Sequence, residues 1–345
     1  MLVPTIDMHL AHPLDIARRR RAGERQVIIR EFLPGFRRGR VVATIQRCGG
    51  DVVGLNWHDD SLAATLEQIE GVHAEVAESE GRLRFVLGPD DWPASANDPH
   101  GIMLHLEGLA PVGESPAVLD LLYRLGVRSA QLTWNGRNAI ASGVGVSSGR
   151  RGMTAFGRDL IDRLNHLGIV IDLAHLNPEG VEDVLTISSA PVVCTHSNAR
   201  ALCDHPRNLE DDQIRAIVAT GGMVGVVAYG EFIDPVEPTL ERLLDHIDYM
   251  VGLVGTDNVG VGSDFIDYAS DVVESAIGDV SIYTGNVGFP QEFSTVSHFP
   301  ALWEGLARRG YKPEEIDSIA GANFRRVFAV IRASAKERAE RLADR

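Results

Sequence analysis

Eight short apolar runs, each separated from the next by a stretch of different character, constrain this chain more than any other feature. They read LVPTID (2–7), RVVATIQ (40–46), GIMLHLE (101–107), VRSAQLTW (127–134), GIVIDLAH (168–175), PVVCTH (191–196), GGMVGVVA (221–228) and NVGVGSDF (258–265). Most lack clean period-two alternation, as expected of strands buried on both faces. Between them lie amphipathic segments at 61–79, 116–126, 153–168, 209–221 and 239–255, several closed by a glycine, a common helix stop. Strand and helix alternate with no Pro/Ser-rich linker. The pattern predicts an α/β fold, a single (β/α)8 TIM barrel over 1–345, rather than a doubly wound sheet. From about residue 313 the chain reads as a closing helical segment with a charged, frayed end.

The 345 residues suffice for one such barrel, and 44% hydrophobic with 23% charged residues provides an ordinary core. A net charge of −15 argues against a nucleic-acid-binding face. The basic run Arg18 to Arg21 reads as a solvated loop or helix face. Cys48, Cys194 and Cys203 follow no metal-binding spacing, and an odd number argues against a disulfide framework. There is no basic–apolar leader and no apolar run of about 18 residues, so the expectation is a cytoplasmic protein with no membrane partner.

In a (β/α)8 barrel, functional residues stand at the C-terminal ends of the strands. Those ends carry His9, Glu107, His175, His196 and Asp264. Three imidazoles and two carboxylates gathered at one mouth imply a cation, because a buried uncompensated charge costs several kcal/mol. Nitrogen and oxygen donors without thiolate suit zinc, manganese or iron.

The segments IDMH, LHLEG, GRDLIDRLNHLGIVIDLAH, THSNARALCDHPRNLEDDQIRAIVATGGMVGVVA, DHIDYMVGLVGTDNVGVGSDF and GANFRRVF resemble the membrane (renal) dipeptidase family, peptidase family M19 of the amidohydrolase superfamily. The resemblance runs from about residue 3 to about 330 and is most specific from His175 to Arg207. It implies a (β/α)8 barrel holding two divalent metals, usually zinc, bridged by a glutamate and a hydroxide. It also implies hydrolysis of dipeptides, with a D-residue tolerated on the C-terminal side, and a homodimer. Matched one residue at a time, Glu107 is the bridging ligand. His175 and His196 hold the second metal, while His9 and Asp264 belong to the first. Asp264 takes the proton of the attacking water and passes it to the leaving amine. Arg207 grips the substrate's free carboxylate; the alternative for Arg207 is a structural pairing with Asp211 or Asp212. Trp134 and Asn135 stand beside the substrate.

Two positions depart from the family pattern. Ala11 stands where the first motif has a second carboxylate, and Trp134 where many members have a histidine. The first change predicts one tight metal and a second that is weak or absent, unless His12 or Asp15 replaces the missing ligand. His12 is otherwise expected at the surface or behind the ligands, and Asp7 as core support behind His9. The leading expectation is a metallohydrolase of dipeptides or related N-acyl amino acids. Two others stay open: a remodelled, mononuclear amidohydrolase of a lactone or cyclic amide, and a catalytically silent barrel used for binding.

Overall fold

The computed structural model describes residues 3–51, 60–149, 152–266 and 288–343. All eight expected runs form parallel strands: β1 (Thr5–Leu10), β2 (Val41–Gly50), β4 (His100–Glu107), β5 (Val127–Gln131), β6 (Val170–Asp172), β7 (Val192–Cys194), β8 (Met223–Val226) and β9 (Val259–Val261). A ninth, β3 (Leu83–Phe85), pairs only with β4 and lies off the path β1-β2-β4-β5-β6-β7-β8-β9. The sequence had no pattern for so short an edge piece. Between β9 and β1 the Asp264 N–H donates to the His9 carbonyl at 3.0 Å, and the sheet becomes a nearly closed barrel.

Helices follow the strands as the alternation predicts, at Ser61–Ala77, Pro116–Arg124, Ala155–Leu167, Asp211–Ala219 and Leu240–Val254. Asp60, Thr154 and Thr239 cap three of these, each accepting from a backbone N–H of the first turn. The basic run is the last turn of a helix at His12–Arg21. There Arg20 reaches across to Glu75 and Glu78 at 2.5 and 2.7 Å. The C-terminal segment forms helices at Pro313–Asp317 and Asn323–Ala343, while residues 344–345 of the expected frayed end, like residue 2 of the first run, lie outside the described residues.

One apolar cluster lies between sheet and helices; a second fills the barrel with Ile6, Met8, Ala43, Ile45, Met103, Val170, Val193 and Met223. Phe324, Phe328 and Ile331, at helical spacing, join that inner cluster, so the last helix covers the barrel end where the strands begin. Gly225 makes room inside: a Cβ there would lie 2.3 Å from Met8 Cε and 2.1 Å from the Thr195 carbonyl oxygen. The apolar filling leaves the opposite end, where the strands finish, for the polar residues.

Candidate metal centre

His9 lies in β1, Glu107 is the last residue of β4, and His175, His196 and Asp264 follow β6, β7 and β9 by two or three residues. All five expected residues converge. His9 Nε2 lies 3.5 Å from Glu107 Oε1 and 3.6 Å from Asp264 Oδ1; His175 Nε2 lies 3.6 Å from the same Glu107 oxygen. His9, Glu107 and His196 each offer a ligand atom within 4.8 Å of one another. The strands of the second half are shorter than the apolar runs that announced them. Beyond the ends of β6 and β9, His175 and Asp264 adopt left-handed backbone at φ 68° and 56°.

The two later histidines carry fixed tautomers. His175 Nδ1–H donates to Asn135 Oδ1 at 2.7 Å. The Thr195 hydroxyl donates to Asp172 Oδ2 at 2.5 Å, so its oxygen accepts from His196 Nδ1–H at 2.8 Å. Each ring therefore presents an unprotonated Nε2, and these two lone pairs face each other at 3.1 Å. Burial holds both imidazoles well below their ordinary pKa, with the Arg207 charge adding to the effect, so no proton sits between them. Two buried acceptors so close need a cation, and the donor set fits a divalent metal.

His9 points the same way. Both ring nitrogens are buried without a hydrogen-bond partner among the described residues. Burial pulls its pKa down, yet Glu107 and Asp264 outweigh burial and leave it raised. Burial lifts the Asp264 carboxyl to about 6, His9 working against the rise and Glu107 with it.

A repeated clasp underlies the ligands. Asp172 accepts the Ala174 N–H at 3.1 Å and the Thr195 N–H at 2.9 Å, besides the Thr195 hydroxyl. Asp7 accepts the His9 N–H at 3.2 Å, the Ser263 N–H at 2.9 Å and the Ser263 hydroxyl at 2.5 Å. One clasp ties the strand end before His175 to the residue before His196; the other ties His9 to the residue before Asp264. Asp7 thus supports His9 from the core, as expected.

Other expectations are corrected. His12 is buried, not at the surface: it stacks on Phe32 at 3.9 Å and its Nδ1 lies 3.3 Å from Gln46 Nε2. Asp15 pairs with Arg18 and Arg19 at 2.7 and 3.7 Å. Both sit on the helix that leaves β1, because the chain turns into it at Pro13, and neither joins the ligand cluster. Arg207 does not pair with Asp211 or Asp212. It is 2% exposed, with Nη1 donating to Ser197 Oγ at 3.2 Å and Nη2 to the His196 carbonyl at 3.1 Å, and its Nε has no hydrogen-bond partner among the described residues. Trp134 packs its ring 5.8 Å from that of His175.

Sequence reasoning missed Arg47. It lies on β2 at 5% exposure, with Nε 2.8 Å from Glu107 Oε2, a close ion pair whose angle falls short of a hydrogen bond. The guanidinium, acting against burial, holds the Glu107 carboxyl well below the usual carboxylate range. A single charge inside a run of strand residues was the available signal.

Fold and site together define a metal-dependent hydrolase barrel. The family model of membrane dipeptidase (peptidase family M19) matches residues 2–341, and the chain belongs to that family. Dipeptidase verJ of Clonostachys rogersoniana is 31% identical over 78% of this chain and 65% of its own length. The chain thus spans about two-thirds of that curated relative. An uncharacterized protein in the pqqA 5′ region of Klebsiella pneumoniae is 33% identical over 81% of this chain and 97% of its own length. A metallopeptidase from Rhodobacter sphaeroides, solved with a phosphinate mimic of L-Ala-D-Ala, shares the fold at TM-score 0.82, with 23% identity over 96% of this chain and 100% of its own. Among the described residues no helix is long and apolar enough to cross a membrane.

Proposed function

We propose that this chain is a metal-dependent dipeptidase acting on dipeptides and related N-acyl amino acids with a free carboxylate, including those with a D-residue on the C-terminal side. The facing Nε2 atoms of His175 and His196 beside Glu107 carry the reading. The ligands are His9, Glu107, His175, His196 and Asp264, and their imidazole and carboxylate donors favour zinc. A divalent ion bound there would supply Lewis acidity, for a water nucleophile at neutral pH and for the scissile carbonyl.

The chain's own residues do the rest. Asp264, whose carboxylate stands 3.6 Å from His9 at the mouth of the cluster, accepts the proton of the attacking water and returns it to the leaving amine. Arg207, braced by Ser197 and the His196 carbonyl, keeps Nε for the substrate carboxylate. Asn135 orients His175, and Trp134 forms a wall beside it. Tolerance of a D-residue is in keeping with the L-Ala-D-Ala mimic bound by the Rhodobacter sphaeroides metallopeptidase, whose fold this chain shares. Three free, buried cysteines agree with a reducing, cytoplasmic compartment. The homodimer rests on the family resemblance alone.

The test pairs metal analysis with assays on L-Xaa-D-Xaa dipeptides and a lactone panel. Bound metal with dipeptide turnover is expected. Turnover confined to lactones or cyclic amides would replace the substrate class, and a metal-free, inert protein would leave a binding barrel.

A further inference from the structure

Glu107 has two carboxylate oxygens, and the structure uses them differently. Oε1 faces His9 and His175 at 3.5 and 3.6 Å, while Oε2 is taken by Arg47 at 2.8 Å. A carboxylate that bridges two ions gives one oxygen to each, and here the second oxygen already has a cation. Arg47 is held in β2 beside β4, where Arg47 aligns with His105 and Gly50 with Glu107. It is buried, and its Nη1 has no hydrogen-bond partner among the described residues, the condition of a donor kept for an anionic ligand. Its charge also acts on Asp264 and His175, on either side of the cluster.

We propose that Arg47 is a built-in cation that takes the place of a second metal ion beside Glu107, so that the site works with one divalent ion and one guanidinium. The charges agree. A dication, Arg47 and Arg207 carry four positive units against two negative ones on Glu107 and Asp264, leaving two for anionic ligands. Ala11 fits the same account. A second dication would need a further anionic donor at that strand end, whereas a guanidinium, which binds by hydrogen bonds and ion pairs, would not. The fork cannot lose its proton and cannot be chelated away, so the second charge is permanent.

This inference rests on the metal-dependent reading, and metal counting separates the two. Wild type, Ala11→Asp, Arg47→Lys and the double variant Ala11→Asp/Arg47→Leu are dialysed against trace zinc and analysed for metal per chain, with circular dichroism to confirm folding. The expected counts are one for wild type, for Ala11→Asp and for Arg47→Lys, and two for the double variant. A count of two in Ala11→Asp alone would show that the lost carboxylate, not Arg47, limits the site. Two in wild type would overturn the inference outright, and none in wild type would sink the metal-dependent reading itself. If the double variant does not fold, manganese-loaded Ala11→Asp decides by electron paramagnetic resonance. An isolated-ion spectrum supports the guanidinium, and an exchange-coupled pair refutes it.

Discussion

The Asp7 carboxylate takes both polar groups of Ser263, the N–H at 2.9 Å and the hydroxyl at 2.5 Å, and so joins the first strand of the barrel to the second residue beyond its last. Among the described residues no backbone ladder runs between these strands, and this clasp and the Asp264–His9 backbone bond are hydrogen bonds that cross the seam. Asp7→Ala would strand three donors, those of Ser263 and the His9 N–H, at a fully buried position. An unsatisfied buried group costs about 1–3 kcal/mol. Denaturant titration should therefore show a loss of roughly 3 kcal/mol or more. A loss under roughly 1 kcal/mol would mean the seam is held elsewhere.

The matching clasp predicts a loss of metal affinity beyond any loss of stability. Thr195→Val keeps the shape of the side chain but removes the oxygen that fixes the His196 tautomer. Such outer contacts typically matter by 10–100-fold in metal affinity. Zinc titration against a competing chelator should show a weakening of about that size. Unchanged affinity would leave the Asp172–Thr195 pair a purely structural tie.

Glu107→Ala should lose metal and activity together while the barrel stays folded. Because the same change strands the Arg47 charge, a drop in melting temperature is also expected. Metal retained with full hydrolysis would remove Glu107 from the site.

Arg207→Lys replaces a braced fork by a point charge. A charge-assisted hydrogen bond is worth about 1.5–3 kcal/mol, so kcat/KM on free-carboxylate substrates should fall by roughly 10–100-fold. Amidated analogues should change little. Equal losses on both kinds would place the damage in the packing of Ser197 and Phe232 around the guanidinium.

His12 and His100 give the protein a defined acid weakness. Both are buried against phenylalanine rings, and burial pushes each imidazole down to about 3. An unfolded histidine takes a proton below about pH 6.5. The stability contributed by these two neutral histidines is therefore full above that value and falls as the pH drops toward 3. His100→Gln should remove one proton from that linkage and flatten the decline by about 1.4 kcal/mol per pH unit. Urea midpoints measured at several values between about pH 6.5 and 4.5 would check it. A slope equal to the wild type's would mean that His100 titrates alike in both states.

The residues at strand ends were legible because each stands at or beside the end of an apolar run: the LHLE that ends in Glu107 and the IDLAH that ends in His175 announce both strand and ligand. The partners that position them were not. Asp172 meets Thr195, and Arg47 meets Glu107, only through the register of neighbouring strands, which a linear pattern does not contain. His12 misled for a related reason. Its polarity left the surface open beside a place behind the ligands, whereas Phe32 and Gln46 enclose it from elements distant in sequence.

His175 and Asp264 hold left-handed backbone that side-chained residues adopt at a cost of about 1–3 kcal/mol each. Glycine at either position would relax that strain while deleting a ligand. A mutant library screened by heat alone would thus be drawn to erase the site one residue at a time. Laboratory evolution of this barrel has to select for bound metal and thermal endurance together, or its hardiest survivors will be empty shells.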